Sequence, residues 1–183
     1  MTKILLGIML TCTALASPVE AETDNTSGWY IGAGAGASRL KPDTKNSGFS
    51  VSDSYDFAYE IFAGHDWSGR ISTEAYYAVL GKASLSPYGE VEYEDFGISG
   101  LYYFRDRASN QQNWALFGKL GAGRMRNDSD LSYRRDNDYH VLFGAGAERR
   151  LTQHLTLRIG VDLYDEDARL VSINLLRRFP SGK

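Results

Sequence analysis

Scarcity sets the first limits on this sequence. It holds one cysteine, four prolines and three histidines in 183 residues, and no apolar run is long enough to cross a bilayer as a helix. The cysteine, Cys12, lies inside an N-terminal apolar stretch. If that stretch is a cleaved leader, the mature chain has no thiol, which removes disulfides and thiolate chemistry together. An excess of positive charge is missing too: 20 Lys and Arg stand against 23 Asp and Glu, for a net charge of −3. With no basic aromatic platform, a nucleic-acid partner is excluded.

The opening residues have the layout of a secretory signal peptide. Lys3 supplies a positive start, Ile4 to Leu15 form a short apolar core, and Val19-Glu20-Ala21 offers small side chains where a peptidase reads. Cleavage is expected after Ala21, leaving residues 22–183 as one domain. Lipidation at Cys12 is not expected, because Thr11 stands where a smaller residue is wanted and the position is early.

What the chain has is glycine (19), tyrosine (12) and phenylalanine (8), a strand-favouring mixture with a mean hydropathy of −0.35. That modest hydropathy does not argue against a membrane barrel, since half of each spanning strand faces a polar interior. Period-two alternation recurs in eight segments: 29–38, 55–67, 71–80, 95–104, 114–123, 139–148, 155–163 and 170–179. In the second, Tyr55, Phe57, Tyr59, Ile61 and Ala63 alternate with Asp56, Ala58, Glu60, Phe62 and Gly64. Each segment has about the 9–11 residues that a tilted strand needs to span a bilayer. A soluble barrel turns its apolar face inward and has no room there for repeated charges. Here the polar faces carry Glu60, Glu74, Lys119, Glu148 and Arg158 at mid-strand, and aromatics such as Trp29, Trp67, Trp114 and Phe179 gather at strand ends. The expected fold is therefore all-β, an eight-stranded antiparallel up-and-down transmembrane β-barrel. Short connections at 66–70, 105–113 and 149–154 are expected on the periplasmic side with both termini. Those at 41–53, 83–90, 127–137 and 165–168 are expected outside.

The chain resembles the transmembrane domain of the OmpA family, small eight-stranded outer-membrane barrels, without their periplasmic domain. The resemblance rests on Gly28-Trp29-Tyr30, the Tyr59 to Trp67 strand, Lys119-Leu120-Gly121, the Gly144-Ala145-Gly146-Ala147-Glu148 strand and the ending Val171-Ser172-Ile173-Asn174-Leu175. It implies a bacterial outer-membrane location, a monomer, and biogenesis through periplasmic chaperones and the barrel-assembly machinery, with Phe179 as terminal signal. It also implies that Glu74, Lys119, Glu148 and Arg158 form an interior ion-pair network. In the gated form of that network, Glu148 exchanges between Lys119 and Arg158 while Glu74 takes the released partner; a static plug is the other form. The physical case is independent: a narrow lumen holds little water, so opposite charges there must pair.

Other candidate chemistry is thinner. His65 and His154 fall at one end of the barrel and His140 at the other, too far apart for one metal site. Ser129 and Ser132 lie near His140 among Asp128, Asp130, Asp136 and Asp138, a grouping that would suit a lipid A-modifying enzyme only with the right geometry. Those acids lack the spacing of a calcium loop. No cofactor or metal is expected. Arg124, Arg126, Arg134 and Arg135 are candidate contacts for lipopolysaccharide phosphates, which a planar guanidinium binds through two oxygens. The expected function is non-enzymatic: a structural, membrane-integrity barrel with a plugged or narrowly gated lumen. A surface adhesin or lipopolysaccharide-binding module is the alternative, and a lipid A-modifying barrel enzyme is a third.

The membrane reading makes a direct prediction. The mature chain folds only with detergent or lipid, and its gel mobility changes on boiling. A monomeric β-protein folded in plain buffer would overturn it, since Ile61, Val141, Phe143, Leu157, Ile159, Val161 and Ile173 would form one large patch in water.

Overall fold

A computed structural model describes residues 27–40, 50–53, 55–86, 90–107, 114–129, 138–164 and 168–180. Its strands are β1 (Gly28–Leu40), β2 (Ser50–Asp53), β3 (Tyr55–Asp66), β4 (Ile71–Ser86), β5 (Glu90–Tyr103), β6 (Trp114–Ser129), β7 (Asp138–Arg150), β8 (Leu155–Tyr164) and β9 (Ala168–Pro180). All pairings are antiparallel. β9 returns to β1 over Gly28↔Pro180 to Leu40↔Ala168, which closes the sheet. β2 pairs with the far end of β4 at Ser50↔Ser86, in line with β3, so the two share one staff of an eight-stranded barrel. Apart from the short β2 at the loop end, closure leaves no free edge among the described strands, the condition that lets a sheet sit in hydrocarbon with its backbone groups satisfied.

Alternation then divides the side chains. Outward stand Trp29, Ile31, Phe57, Ile61, Ile98, Leu120, Phe143, Ile159 and Ile173, with Ile98 69% exposed. Inward stand Tyr30, Tyr103 and Tyr164, all fully buried, together with the charged side chains. The molecule is thus apolar outside and polar within, as its lipid solvent demands.

The two ends differ. At the turn end, the 67–70 and 151–154 connections are built alike. Trp67 N donates to Ile71 O (3.0 Å) and Leu151 N to Leu155 O (2.8 Å). Ser68 Oγ accepts from the amides of Arg70 and Ile71, and Thr152 Oγ1 from those of His154 and Leu155. One hydroxyl thus fixes each tight turn. At the loop end the hairpins outrun the sequence-based limits: β4 reaches Ser86, β6 reaches Ser129, and residues 50–53 pair rather than belonging to a connection. Alternation fades there because neither face is selected by hydrocarbon, while backbone pairing continues.

A bulge explains where the pattern in β4 breaks. The register with β5 slips between Val79 and Gly81, so inward positions change from even to odd numbers. Gly81 has φ 85, and the Asp56 carboxylate occupies the space its Cβ would fill. Asp56 Oδ2 accepts from Lys82 N at 2.6 Å. Gly81→Ala therefore meets both backbone strain and a displaced carboxylate, and is expected to lower stability by about 1–2 kcal/mol in urea unfolding in micelles. Gly118→Ala, with only Phe104 nearby at 3.8 Å, is expected to change it by less than about 0.5 kcal/mol.

Candidate functional site

Parity and register bring charges together inside the barrel. Glu148 of β7 and Arg158 of β8 are direct cross-strand partners, and Glu74 of β4 reaches the same point across the lumen. Arg158 Nη1 lies 2.6 Å from Glu74 Oε1, and Arg158 Nη2 lies 2.7 Å from Glu148 Oε1. Arg158 Nε also donates to Glu148 Oε1 at 2.9 Å. Two tyrosines finish the shell: Tyr30 OH donates to Glu74 (2.8 Å) and Tyr103 OH to Glu148 (2.9 Å). The guanidinium carbon sits 4.7 Å from the Phe62 ring centre and 5.2 Å from that of Phe117, so aromatic faces cover what carboxylates do not. All three charged residues are buried.

A second layer seals the turn end. Arg178 of β9 bridges Asp66 Oδ2 (3.0 Å) and Glu148 Oε2 (2.8 Å) and donates to Thr156 Oγ1 (2.6 Å). Arg107, from the connection after β5, folds into the mouth over the Tyr103 ring at 3.8 Å. It donates to Asp66 Oδ1 (2.7 Å), Ser72 Oγ (3.0 Å) and the carbonyls of Ser68 and Gly69. Neither arginine was among the residues expected from sequence. Arg178 had a signal, the inward parity shared with Asn174 and Leu176. Arg107 had none, because a connection carries no periodicity.

Lys119 makes its ion pair with a residue not among its expected partners. Its Nζ binds Asp162 Oδ2 at 2.8 Å, joining β6 to β8. The exchange scheme paired Lys119 with Glu148 or Glu74; the structure instead surrounds Glu148 with Arg158, Arg178 and Tyr103. Sequence reasoning assumed four charges, whereas Asp66, Arg107, Asp162 and Arg178 also take part, and a guanidinium can hold two carboxylates at once. Farther toward the loop end, Glu60 accepts from Ser172 Oγ (2.7 Å) and Asn174 Nδ2 (2.8 Å). Tyr76 OH donates to Asp95 (2.9 Å), and His140 Nε2 is 3.4 Å from the same oxygen. Above them the lumen is packed largely with apolar side chains, among them Leu40, Leu80, Tyr93 and Leu170.

The remaining candidates are dispersed. His65 faces outward between the rings of Trp29 (4.9 Å) and Trp67 (4.5 Å), and His154 lies in a turn. His140, toward the opposite end, is buried in the lumen, because its position on β7 points inward. Arg124 and Arg126 face outward near the loop end, over the rings of Tyr139 (5.6 Å) and Phe96 (5.0 Å). Arg134, Arg135, Asp130, Ser132 and Asp136 lie outside the described residues, as do the side chains of Asp128, Ser129 and Asp138. No metal-binding group occurs among the described residues.

Comparison with known proteins fits this architecture. The profile of the outer membrane protein beta-barrel domain matches residues 6–179. No curated protein matches the sequence. Among solved structures, neisserial surface protein A is 16% identical with a TM-score of 0.59, covering 84% of this chain and 98% of its own. OprG of Pseudomonas aeruginosa is 9% identical with a TM-score of 0.62, covering 87% and 100%. Ail of Yersinia pestis, in complex with the heparin analogue sucrose octasulfate, is 14% identical with a TM-score of 0.53, covering 84% and 99%. At these identities the likeness is one of fold.

Removing one partner from a buried ion pair strands the other. Arg158→Ala is therefore expected to cost about 3–5 kcal/mol. The Glu74→Ala and Arg158→Ala losses are expected to overlap, with a coupling of about 1–3 kcal/mol in the double variant. Urea unfolding in micelles measures all three, and additive losses would argue against one connected network.

Proposed function

Because the chain belongs to the outer membrane protein β-barrel domain family, we propose that it is a non-enzymatic structural protein of the bacterial outer membrane whose lumen is closed by the network around Arg158. The observation that carries this reading is the position of that guanidinium, 2% exposed and bridging Glu74 to Glu148. A carboxylate held by two arginines and a tyrosine is fixed in place, which suits a plug better than proton transfer. The apolar packing toward the loop end adds a second closure of different chemistry. In this reading the termini and tight turns face the periplasm and the loop end faces outward. The protein is a monomer that reaches the membrane through periplasmic chaperones and the barrel-assembly machinery.

A surface-binding role is the second reading. It is favoured by Arg124 and Arg126, which lie on outward-facing aromatics where lipid phosphates gather, and Arg134 and Arg135 would extend that contact. The heparin analogue bound to Ail suggests sulfated or phosphorylated sugars as the class to screen.

Planar-bilayer recording tests the plug. Wild-type protein is expected to pass no steady current, and a sustained ohmic conductance would overturn the reading. Discrete openings whose frequency changes in Lys119→Met or Asp162→Asn would favour a gate over a static plug.

A further inference from the structure

Charges on the outward face near the loop end can stand in opposed couples. Lys82 stands across from Glu92, and Glu94 across from Arg126. Two couples break this pattern: Glu92 also stands across from Asp128, but has Lys82 on its other side, and the second couple has no such compensation. Arg39 of β1 and Arg169 of β9 are direct cross-strand partners, both exposed and both outward. Like charges directly opposite one another in a sheet are unfavourable. The neighbour of Arg39 on its other side is Tyr55, whose ring centre lies 5.5 Å from the guanidinium. The neighbour of Arg169 on its other side is Leu163. No carboxylate lies opposite either arginine in these registers.

Below this couple, toward mid-membrane, β1 presents Ala33, Ala35 and Ala37 on the same outward face. Bulkier side chains flank them: Ile61, Tyr59 and Phe57 on β3, and Leu175, Ile173 and Val171 on β9, in matching register. The three alanines thus form the floor of a furrow that runs along the strand and ends at the two arginines. From Ala33 to Arg39 it spans about 20 Å of strand, or about 15 Å of depth at the usual tilt, half of a hydrocarbon core of about 30 Å. A furrow one leaflet deep, apolar along its length and doubly cationic at its head, matches an acyl chain attached to a phosphorylated headgroup. A phosphate between the arginines also converts a repulsive couple into two charge-assisted contacts.

We propose that Arg39 and Arg169 form a lipid phosphate site, with one acyl chain lying along Ala33, Ala35 and Ala37. This rests on the orientation proposed above, which puts the loop end at the cell surface and so selects the bisphosphorylated glucosamine lipid of lipopolysaccharide as occupant. The site is distinct from Arg124 and Arg126, which lie on β6.

The test is retention of defined lipids by the detergent-purified barrel, read by native mass spectrometry. The probes are bisphosphorylated lipid A, the same lipid without phosphates, and phosphatidylglycerol. Wild-type protein is expected to hold the first at least about tenfold more tightly than either of the others. R39Q/R169Q loses that preference, A35F weakens retention by filling the furrow, and R149Q, at the turn end over Trp114, leaves it unchanged. Thermal unfolding supplies a reading that a purely structural role does not produce. Without lipid A the double glutamine variant melts higher than wild type, because repulsion is relieved; with lipid A the order reverses. Retention by R39Q/R169Q equal to wild type overturns the site. Equal retention of phosphatidylglycerol overturns the choice of occupant. The orientation is tested separately by labelling N46C on intact cells, and label entering only from the periplasm overturns that premise whatever the binding result.

Discussion

A guanidinium removed from water must find its hydrogen-bond acceptors in the protein, and the interior of this barrel is arranged around that requirement at Arg158. Glu74 and Glu148 meet its charge, Tyr30 and Tyr103 hold those carboxylates, and Phe62 and Phe117 cover the faces of the cation. Through Arg178 and Asp66 the same set extends to β9 and β3. One buried cation therefore draws on nearly every strand. The outer surface, solvated by hydrocarbon, gives the strands little reason to prefer one neighbour over another. Specificity of pairing comes from within, where a shifted register would leave a charge alone.

The interior also shows why large and absent side chains occur side by side. Gly144 lies under the Asp162 carboxylate, and Gly146 lies under the Phe117 ring. A Cβ at either position would push into the group above it. In so narrow a lumen, each large inward side chain requires its neighbour to have none. Inward glycines such as Gly144 and Gly146 are the negative image of the large side chains beside them.

Much of this was legible from residue order, because a half-buried strand advertises itself every second position. Glu74, Glu148 and Arg158 were placed inward by counting alone, and three-dimensional proximity followed from their common height. The partner of Lys119 was not legible. Asp162 shared its inward parity, but parity gives a face and says nothing of which charges reach one another across a lumen. Arg107 was invisible for a different reason, since it enters from a turn. The bulge at Gly81 hid the second half of β4 by reversing the count partway along, and polar hairpin ends hid the extensions of β5 and β6. The failures share a cause: periodicity reports solvent on two faces, and it falls silent where both faces meet the same surroundings or where the backbone changes step.

The closure of β9 against β1 has a consequence for the order of events in assembly. Arg178 belongs to the last strand, yet it bridges Asp66 and Glu148, which belong to strands made much earlier. Until β9 docks on β1, those carboxylates lack that partner and β1 has a bare edge. A half-finished sheet would carry both defects into hydrocarbon, where neither is tolerable. Water must therefore remain inside the forming ring until its seam is joined. The seam between β1 and β9 is then what allows the barrel to dry.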